Sequence, residues 1–364
     1  MKFMYKPNYT ITDSMLNKIA QIESYRTKIE SSYILPEREI TMRYRATVEA
    51  AHSSTSIEGN PLNAKQVESV LSSHTQLTRH QYAEIEVKNY QKALSWANKR
   101  KAIDRPITLV DILQIHKLLM KNILPKEKVG TLRKNVVHIE NQNKETIYTG
   151  PKTETVKHEI EKLLNWLNNE AESVHPIVVA AILHFQFVSI HPFSDGNGRS
   201  TRVLTMLYLG LQHYGFRNSL VLDSYYSIEK EAYYSALHKA QGSTYHSAAR
   251  ADLVPWLEYF IGGFLSSVKV LYVEVATLSK LIRQTEGKTK ISHEMADILS
   301  YAKQFGSITL TEAEDILIGV PRRTIQRKLK MLVDDGYLRL DGGSKNTKYV
   351  WDDGETVRIL RKNR

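Results

Sequence analysis

The sequence predicts a mainly all-α protein: a helical bundle interrupted by one small β-hairpin, followed by a C-terminal winged helix-turn-helix domain. Three observations carry that prediction. Apolar residues recur at three- and four-residue spacing from Asp13 to about Ala276, the period of one buried helix face. The pattern fails in one place, between Val136 and Tyr148. Beyond a stretch rich in Lys, Arg, Thr and Gly, from Ser279 to Ser292, it resumes as short separate elements. With 364 residues, 42% hydrophobic and 24% charged, the chain is long enough for a large core and more than one folding unit.

The helical spacing is clearest in Val67, Val70 and Leu71, then Ile112, Ile115, Leu118 and Leu119, then Ile160, Leu163, Leu164 and Leu167. Val136-Val137-His138-Ile139 and Thr146-Ile147-Tyr148 flank the polar run Glu140 to Glu145, which reads as two strands and a turn. Gly150-Pro151 ends the hairpin, and a helix restarts near Thr155. The Ser279 to Ser292 stretch reads as a linker. After it, Thr311 to Leu317 gives a short helix, Gly319 a turn, and Pro321 the favoured first residue of a second helix. That helix turns Ile325, Leu329 and Leu332 inward, and strands Tyr337 to Leu340 and Lys348 to Trp351 flank Gly342-Gly343. The expected organisation is an N-terminal helical region at 1–100, a core at 101–278 and the winged helix at 288–364.

Composition narrows the function. The chain has no cysteine, so disulfides, thiolate metal sites and cysteine nucleophiles are excluded, and a reducing compartment is expected. Met1 to Ser14 has no apolar targeting segment, and the apolar stretch Trp256 to Leu271 carries Glu258 and Lys269. It falls short of the roughly 20 apolar residues of a membrane span, so the expectation is a cytoplasmic protein with no membrane partner. The net charge of +11 suits an anionic partner such as nucleic acid, ATP or a membrane surface, or simply a basic solvated surface, and charge alone does not choose among them.

One loop concentrates the chemistry. Ser189 to Arg202 lies between the apolar helical runs Ile177 to Phe187 and Val203 to Leu211. Gly196 and Gly198 let backbone amides approach an anion at the start of the following helix, where free N–H groups and the dipole favour phosphate. Arg199 and Arg202, three apart, point the same way and can grip successive phosphates. Asp195 can hold Mg²⁺ by one carboxylate oxygen. His191 can take a proton from an incoming hydroxyl near neutral pH.

Together these residues match the motif His-x-Phe-x-Asp/Glu-Gly-Asn-Gly-Arg, with a further Arg three residues on. The chain resembles the Fic family over about Thr47 to Leu237. The resemblance implies a Fic-type helical bundle with the hairpin as its flap, and an AMP-transferring enzyme that uses MgATP to modify a Ser, Thr or Tyr hydroxyl of a protein target. It makes His191 the general base, Phe193 the buried loop anchor and Asp195 the Mg²⁺ ligand. Gly196, Asn197 and Gly198 become the anion hole, with Arg199 and Arg202 on the ATP phosphates. Val137, His138, Ile139, Glu140 and Asn141 become the target-docking segment, by strand addition. Tyr233 and Tyr234 fall in the stretch that the family places near the adenine, although tyrosines at this spacing are more often core.

Ser54-Thr55-Ser56-Ile57-Glu58-Gly59-Asn60 resembles the family's inhibitory motif Ser/Thr-x-x-x-Glu-Gly/Asn. Read from the residues, it is a helix end: Gly59 suits the C′ position and Asn60-Pro61 stops the helix. A Glu there opposes the helix dipole unless a cation compensates. The resemblance supplies Arg202 as that cation, so that Glu58 blocks the γ-phosphate site; the same carboxylate could orient water to remove AMP. In the C-terminal domain, Arg322, Arg323, Arg327, Lys328 and Lys330 lie on the helix that would enter a DNA groove. A DNA-binding regulator with an ATP-sensing Fic portion is therefore the alternative reading. Protein docking or a homodimer are further uses of such a domain.

Overall fold

The computed structural model describes residues 5–72, 81–103, 105–140, 143–282, 292–342 and 347–351. The N-terminal half is helical: α1 (Asp13–Ser31), α2 (Pro36–Ile57), α3 (Ala64–Ser72), α4 (Gln81–Arg100) and α5 (Leu109–Met120). The hairpin follows as β1 (His138–Glu140) and β2 (Thr146–Thr149). Then come α6 (Val156–Asn169), α7 (Pro176–Ile190), α8 (Asn197–Leu211), α9 (Leu222–Ile228), α10 (Lys230–Gln241), α11 (Tyr245–Ala248) and α12 (Val254–Ile282). The C-terminal module is α13 (His293–Phe305), β3 (Ser307–Thr309), α14 (Leu310–Ile316), α15 (Arg322–Asp334), β4 (Leu338–Asp341) and β5 (Lys348–Trp351).

The bundle is built around α7. Its sequence is apolar on every face, and each residue from Ile177 to Ile190 is buried, as expected of a helix surrounded by others. It packs against α6, α8, α11 and α12, while α2, α4 and α5 cover the other side of α8. One hydrophobic core runs from Met15 of α1 to Val275 of α12. Residues 1–100 and 101–278 therefore share a single core. Polar signals set the helix ends: Thr12 accepts the Met15 N–H at 3.1 Å, and Thr108 with Asp111 forms a capping box on α5.

α12 departs from the sequence reading. Its segment Val254–Ser279 is long and apolar enough to cross a membrane by length and composition, where Trp256 to Leu271 had read as too short. Here it lies along α1 and α7, burying Trp256, Phe260, Phe264 and Val268. The helix also runs through Ile282, into the predicted linker, because Leu271 and Val275 keep it packed on the core.

The hairpin is shorter than predicted. The ladder pairs His138 with Thr149 and Ile139 with Tyr148, and its register shifts between Ile139 and Glu140. Val136 and Val137 precede it, although Gly150 still donates to the Val137 carbonyl at 3.1 Å. Tyr148 roots β2 by donating its hydroxyl to the Ser189 carbonyl at 2.6 Å. The far side of β2 is taken up by Ser243, whose carbonyl accepts the Thr149 N–H at 2.9 Å. Among the described residues, the outer edge of β1 has no strand beside it.

Past the linker, β3, β5 and β4 form an antiparallel sheet in that order. Ile298, Leu299, Ile308, Ile325, Leu329, Leu332 and Leu338 make a second core, which also takes in Ile40 of α2. The predicted helices and strands of this region are present, β5 with the predicted bounds and α14 and β4 offset by a residue; Pro321 is the N-cap of α15 and not its first helical residue. α13 and β3 escaped the sequence reading. Gly343 and the ends of the 288–364 region lie outside the described residues.

Candidate active site

The loop between α7 and α8 is held from within and from below. His191 caps α7 in the left-handed region (φ 49°), with its N–H still bonded to the Phe187 carbonyl at 3.1 Å. Phe193 is fully buried, its ring stacked on His116 of α5 at 3.8 Å and 8°. The Asn197 side chain accepts the Phe193 N–H at 2.8 Å and donates to the Phe193 carbonyl at 2.9 Å. It is thus a brace inside the loop, and only its backbone amide is offered to a ligand. His116 accepts the Gly130 N–H at Nδ1 (2.9 Å), so its Nε2–H donates to the Asp195 carbonyl (3.1 Å). Burial pushes this imidazole down to about 4, leaving it neutral.

The same logic fixes the tautomer of His191. Its Nδ1 lies 3.2 Å from the Val188 carbonyl, which can only accept, so Nδ1 carries the proton and Nε2 keeps a lone pair. Burial pushes the His191 pKa down to about 4; the Val188 carbonyl, Glu58 and Asp195 oppose the shift, and Arg133 adds to it. A neutral imidazole with a free Nε2 can accept a proton.

α8 begins immediately after. Gly196 is its N-cap at φ 75°, where a Cβ would stand 2.5 Å from Met120 Sδ. The Gly196 N–H is bonded to Asp195 Oδ1. The amides of Asn197, Gly198 and Arg199 precede the first intrahelical bond, from Ser200 to Gly196 at 2.9 Å, so they are the N–H groups of this helix start that an anion could meet. A Cβ on Gly198 would collide with the Glu58 carboxylate.

Both arginines are buried and engaged. Arg199 contacts Asp195 Oδ1 at 3.2 Å through Nη2, and through Nη1 it pairs with Glu86 of α4, whose other oxygen accepts from Asn60 at 2.8 Å. Arg202 donates from Nε to Ser54 Oγ (2.7 Å) and from Nη2 to the Ser54 carbonyl (3.0 Å) and Glu58 Oε1 (2.8 Å). Asp223 of α9 lies 3.5 Å from Arg202 Nε and accepts the Tyr90 hydroxyl at 2.6 Å. Burial raises the Glu58 pKa, but Arg202, then Arg199 and His191, outweigh it and hold the carboxyl below its usual value. Asp223 goes the other way, because burial exceeds the pull of Arg202 and Tyr90.

The remaining sequence candidates divide. Tyr233 is core: its hydroxyl bonds His184 Nε2 at 2.9 Å and its ring stacks on Tyr226 at 4.9 Å. Tyr234 is 44% exposed. Val137, His138, Ile139 and Glu140 lie on or beside β1, whereas Asn141 lies outside the described residues. Asp195 has a side chain 53% exposed at the loop's mouth. Among the described residues no cluster of three or more His, Cys, Asp or Glu side chains forms a metal site, so a divalent ion would rely on this one carboxylate, a fit for an ion that phosphates and water complete.

Residues 106–209 match the family model described as Fic/DOC family. The chain carries a Fic/DOC domain. Protein adenylyltransferase Fic of Drosophila virilis is 32% identical over 155 residues, which cover 42% of this chain and 30% of that protein. Protein adenylyltransferase fic-1 of Caenorhabditis elegans is 29% identical over 253 residues, 68% of this chain and 45% of the relative. The chain thus spans less than half the length of these curated relatives. The crystal structure of a Fic family protein from Desulfovibrio desulfuricans G20 superposes with a TM-score of 0.61 at 23% identity, covering 96% of this chain and 99% of that one. That likeness shows the fold.

Several side chains that build the Fic/DOC site were not singled out in the sequence. His116, Glu86, Asp223 and Arg133 contact the loop or its arginines; in the Ser54 to Asn60 run, which the sequence does mark, Ser54 bonds Arg202 and Asn60 bonds Glu86. Asp223 left a trace, a lone carboxylate in the apolar run Leu220 to Tyr226, where an acid has to be paired. The others sit among ordinary polar neighbours, and only the fold brings them to the loop.

Proposed function

We propose that the chain is a protein adenylyltransferase that moves AMP from ATP to a hydroxyl of a protein target. The observation that carries this reading is the placing of a neutral His191, its Nε2 free, beside a helix N-terminus flanked by two buried arginines. His191 Nε2 takes the proton of the acceptor hydroxyl while that oxygen attacks the α-phosphorus. The α–β phosphoanhydride bond breaks, and pyrophosphate leaves. The amides of Asn197, Gly198 and Arg199 stabilise charge growing on the α-phosphate oxygens, and Arg199 and Arg202 hold the outer phosphates. Asp195 would hold Mg²⁺, which neutralises phosphate charge. The open edge of β1 aligns a segment of the target by strand addition, and Tyr234 offers its ring near the base.

In this reading Glu58 is a brake. It occupies Arg202 at 2.8 Å and fills the space above Gly198, where the terminal phosphate would lie. ATP labelled at its α-phosphate tests both parts. Glu58→Gly should raise AMP transfer at least about tenfold, the effect of freeing one charge-assisted contact. His191→Ala in that background should abolish transfer while MgATP still binds, and retained labelling would remove His191 from the chemistry.

A second reading is favoured by the C-terminal module, which we interpret as a winged helix. α15 presents Arg323, Arg327 and Lys330 to solvent, while Arg322 pairs with Glu314 and Lys328 with Glu294. This basic face suits DNA phosphates. A steep loss of duplex affinity with rising salt would support it; binding that is weak and insensitive to salt would remove it.

A further inference from the structure

The flap and the base meet at one buried side chain. Arg133 lies between α5 and β1, and its guanidinium spreads over three backbone carbonyls. Nε donates to His191 at 2.9 Å, Nη1 to Asn135 at 2.6 Å and Nη2 to Pro151 at 2.6 Å. Its own N–H donates to the Pro192 carbonyl at 2.9 Å. Asn135 precedes the hairpin, Pro151 follows it, and His191-Pro192 is the first bend of the loop. A single residue therefore fastens both feet of the hairpin to the backbone of the base.

The residue type is unexpected unless this fastening is its purpose. Among the described residues no carboxylate pairs with Arg133, and burial pushes its pKa down. Burying a cation without a counter-charge is costly, and an apolar side chain could fill the same space. Carbonyls from three separate segments require a planar fork of donors, which a lysine ammonium cannot supply from one nitrogen. The junction is also closely packed. A Cβ on Gly150 would stand 2.8 Å from Val137 Cγ1 and 3.2 Å from Arg133 Nη2.

His191 is the residue most sensitive to this grip. It sits at φ 49°, where a side chain is strained, and its imidazole is oriented by the bond to Val188. We propose that Arg133 is a positioning residue that couples the flap to the base, so that a strand docked on β1 and the Nε2 of His191 keep one fixed relation. This rests on the reading of His191 as base and of the hairpin as docking flap.

Two variants of the full-length chain test it, each in the Glu58→Gly background: Arg133→Lys, which keeps the charge, and Gly150→Ala, which wedges the junction without touching the charge. ¹⁵N-histidine spectra should show the His191 Nδ1–H tautomer in the parent and an averaged ring in both variants. Amide exchange over residues 136–150 should speed up at least about tenfold in both, as for loss of a charge-assisted hydrogen bond. MgATP affinity and melting temperature should hold. An unchanged tautomer and unchanged flap exchange in both variants would overturn the proposal. So would a general loss of protection from α5 to α8 with a falling melting temperature, which would make Arg133 a residue of the fold at large. Neither readout needs turnover, so a parent chain that transfers no AMP would count against the proposed function alone.

Discussion

At the scale of single residues, the site is a matter of which nitrogen carries which proton. His191 spends Nδ1–H on Val188 and leaves Nε2 with its lone pair, and its pKa is pushed down to about 4. In the proposed reaction, an imidazole with that value can still take up a proton well below the usual histidine range. In the Glu58→Gly chain at saturating MgATP, transfer should hold level from about pH 8 to about pH 6 and fall only near about pH 5 or lower. Removing Glu58 takes away a charge that raises the His191 pKa, so the limb moves further down. An acid limb at about 6.5 would mean a solvated imidazole. The nearness of His191, the two arginines, Asp195 and Glu58 was legible because they lie in short runs where a family motif is recognisable. Asn197 was legible in position but not in role: only the folded loop shows that its side chain closes on Phe193.

At the scale of elements, α2 shows why part of the structure was not legible. Its buried residues include Ser53, Ser54 and Thr55 as well as Ile40, Met42 and Val48, so no clean apolar stripe marks what it touches. Its ends belong to different cores: Ile40 joins the core of the C-terminal module, where α2 packs on α13, whereas Ile57 packs in the bundle. Over 22 residues the helix spans about 33 Å. Arg43 pins the first end, bonded to Glu39 at 2.7 Å and paired with Asp297 of α13. Arg43→Ala would leave a buried Glu39, partly compensated by Arg217 at 3.0 Å, and would strip Asp297 of its partner. The expected cost is about 3 kcal/mol, the lower end for breaking a buried pair, measured by urea unfolding. A loss under about 1 kcal/mol would place this contact with surface ion pairs.

At the scale of the whole molecule, burial of neutral histidines links stability to pH. His116 and His191 are pushed down to about 4 and His184 to about 3, burial being the first cause of each. The unfolded chain, titrating near about 6.5, binds protons that the native state refuses. Stability is therefore complete above that pH and falls as the medium is acidified towards about 4, with a slope of up to about 4 kcal/mol per pH unit for three such groups. Glu58 and Asp111, held below their usual values, add a further loss at the acid end of that window. Asp223, raised by burial, works the other way and offsets part of that loss. The net charge of +11 rises as histidines protonate, and self-repulsion acts in the same direction as the loss. Urea unfolding followed between about pH 7.5 and about pH 4.5 should show this decline. His184→Gln would remove a titrating group buried within α7 and flatten the slope by about one proton; a slope equal to the parent's would mean that His184 protonates in the native state.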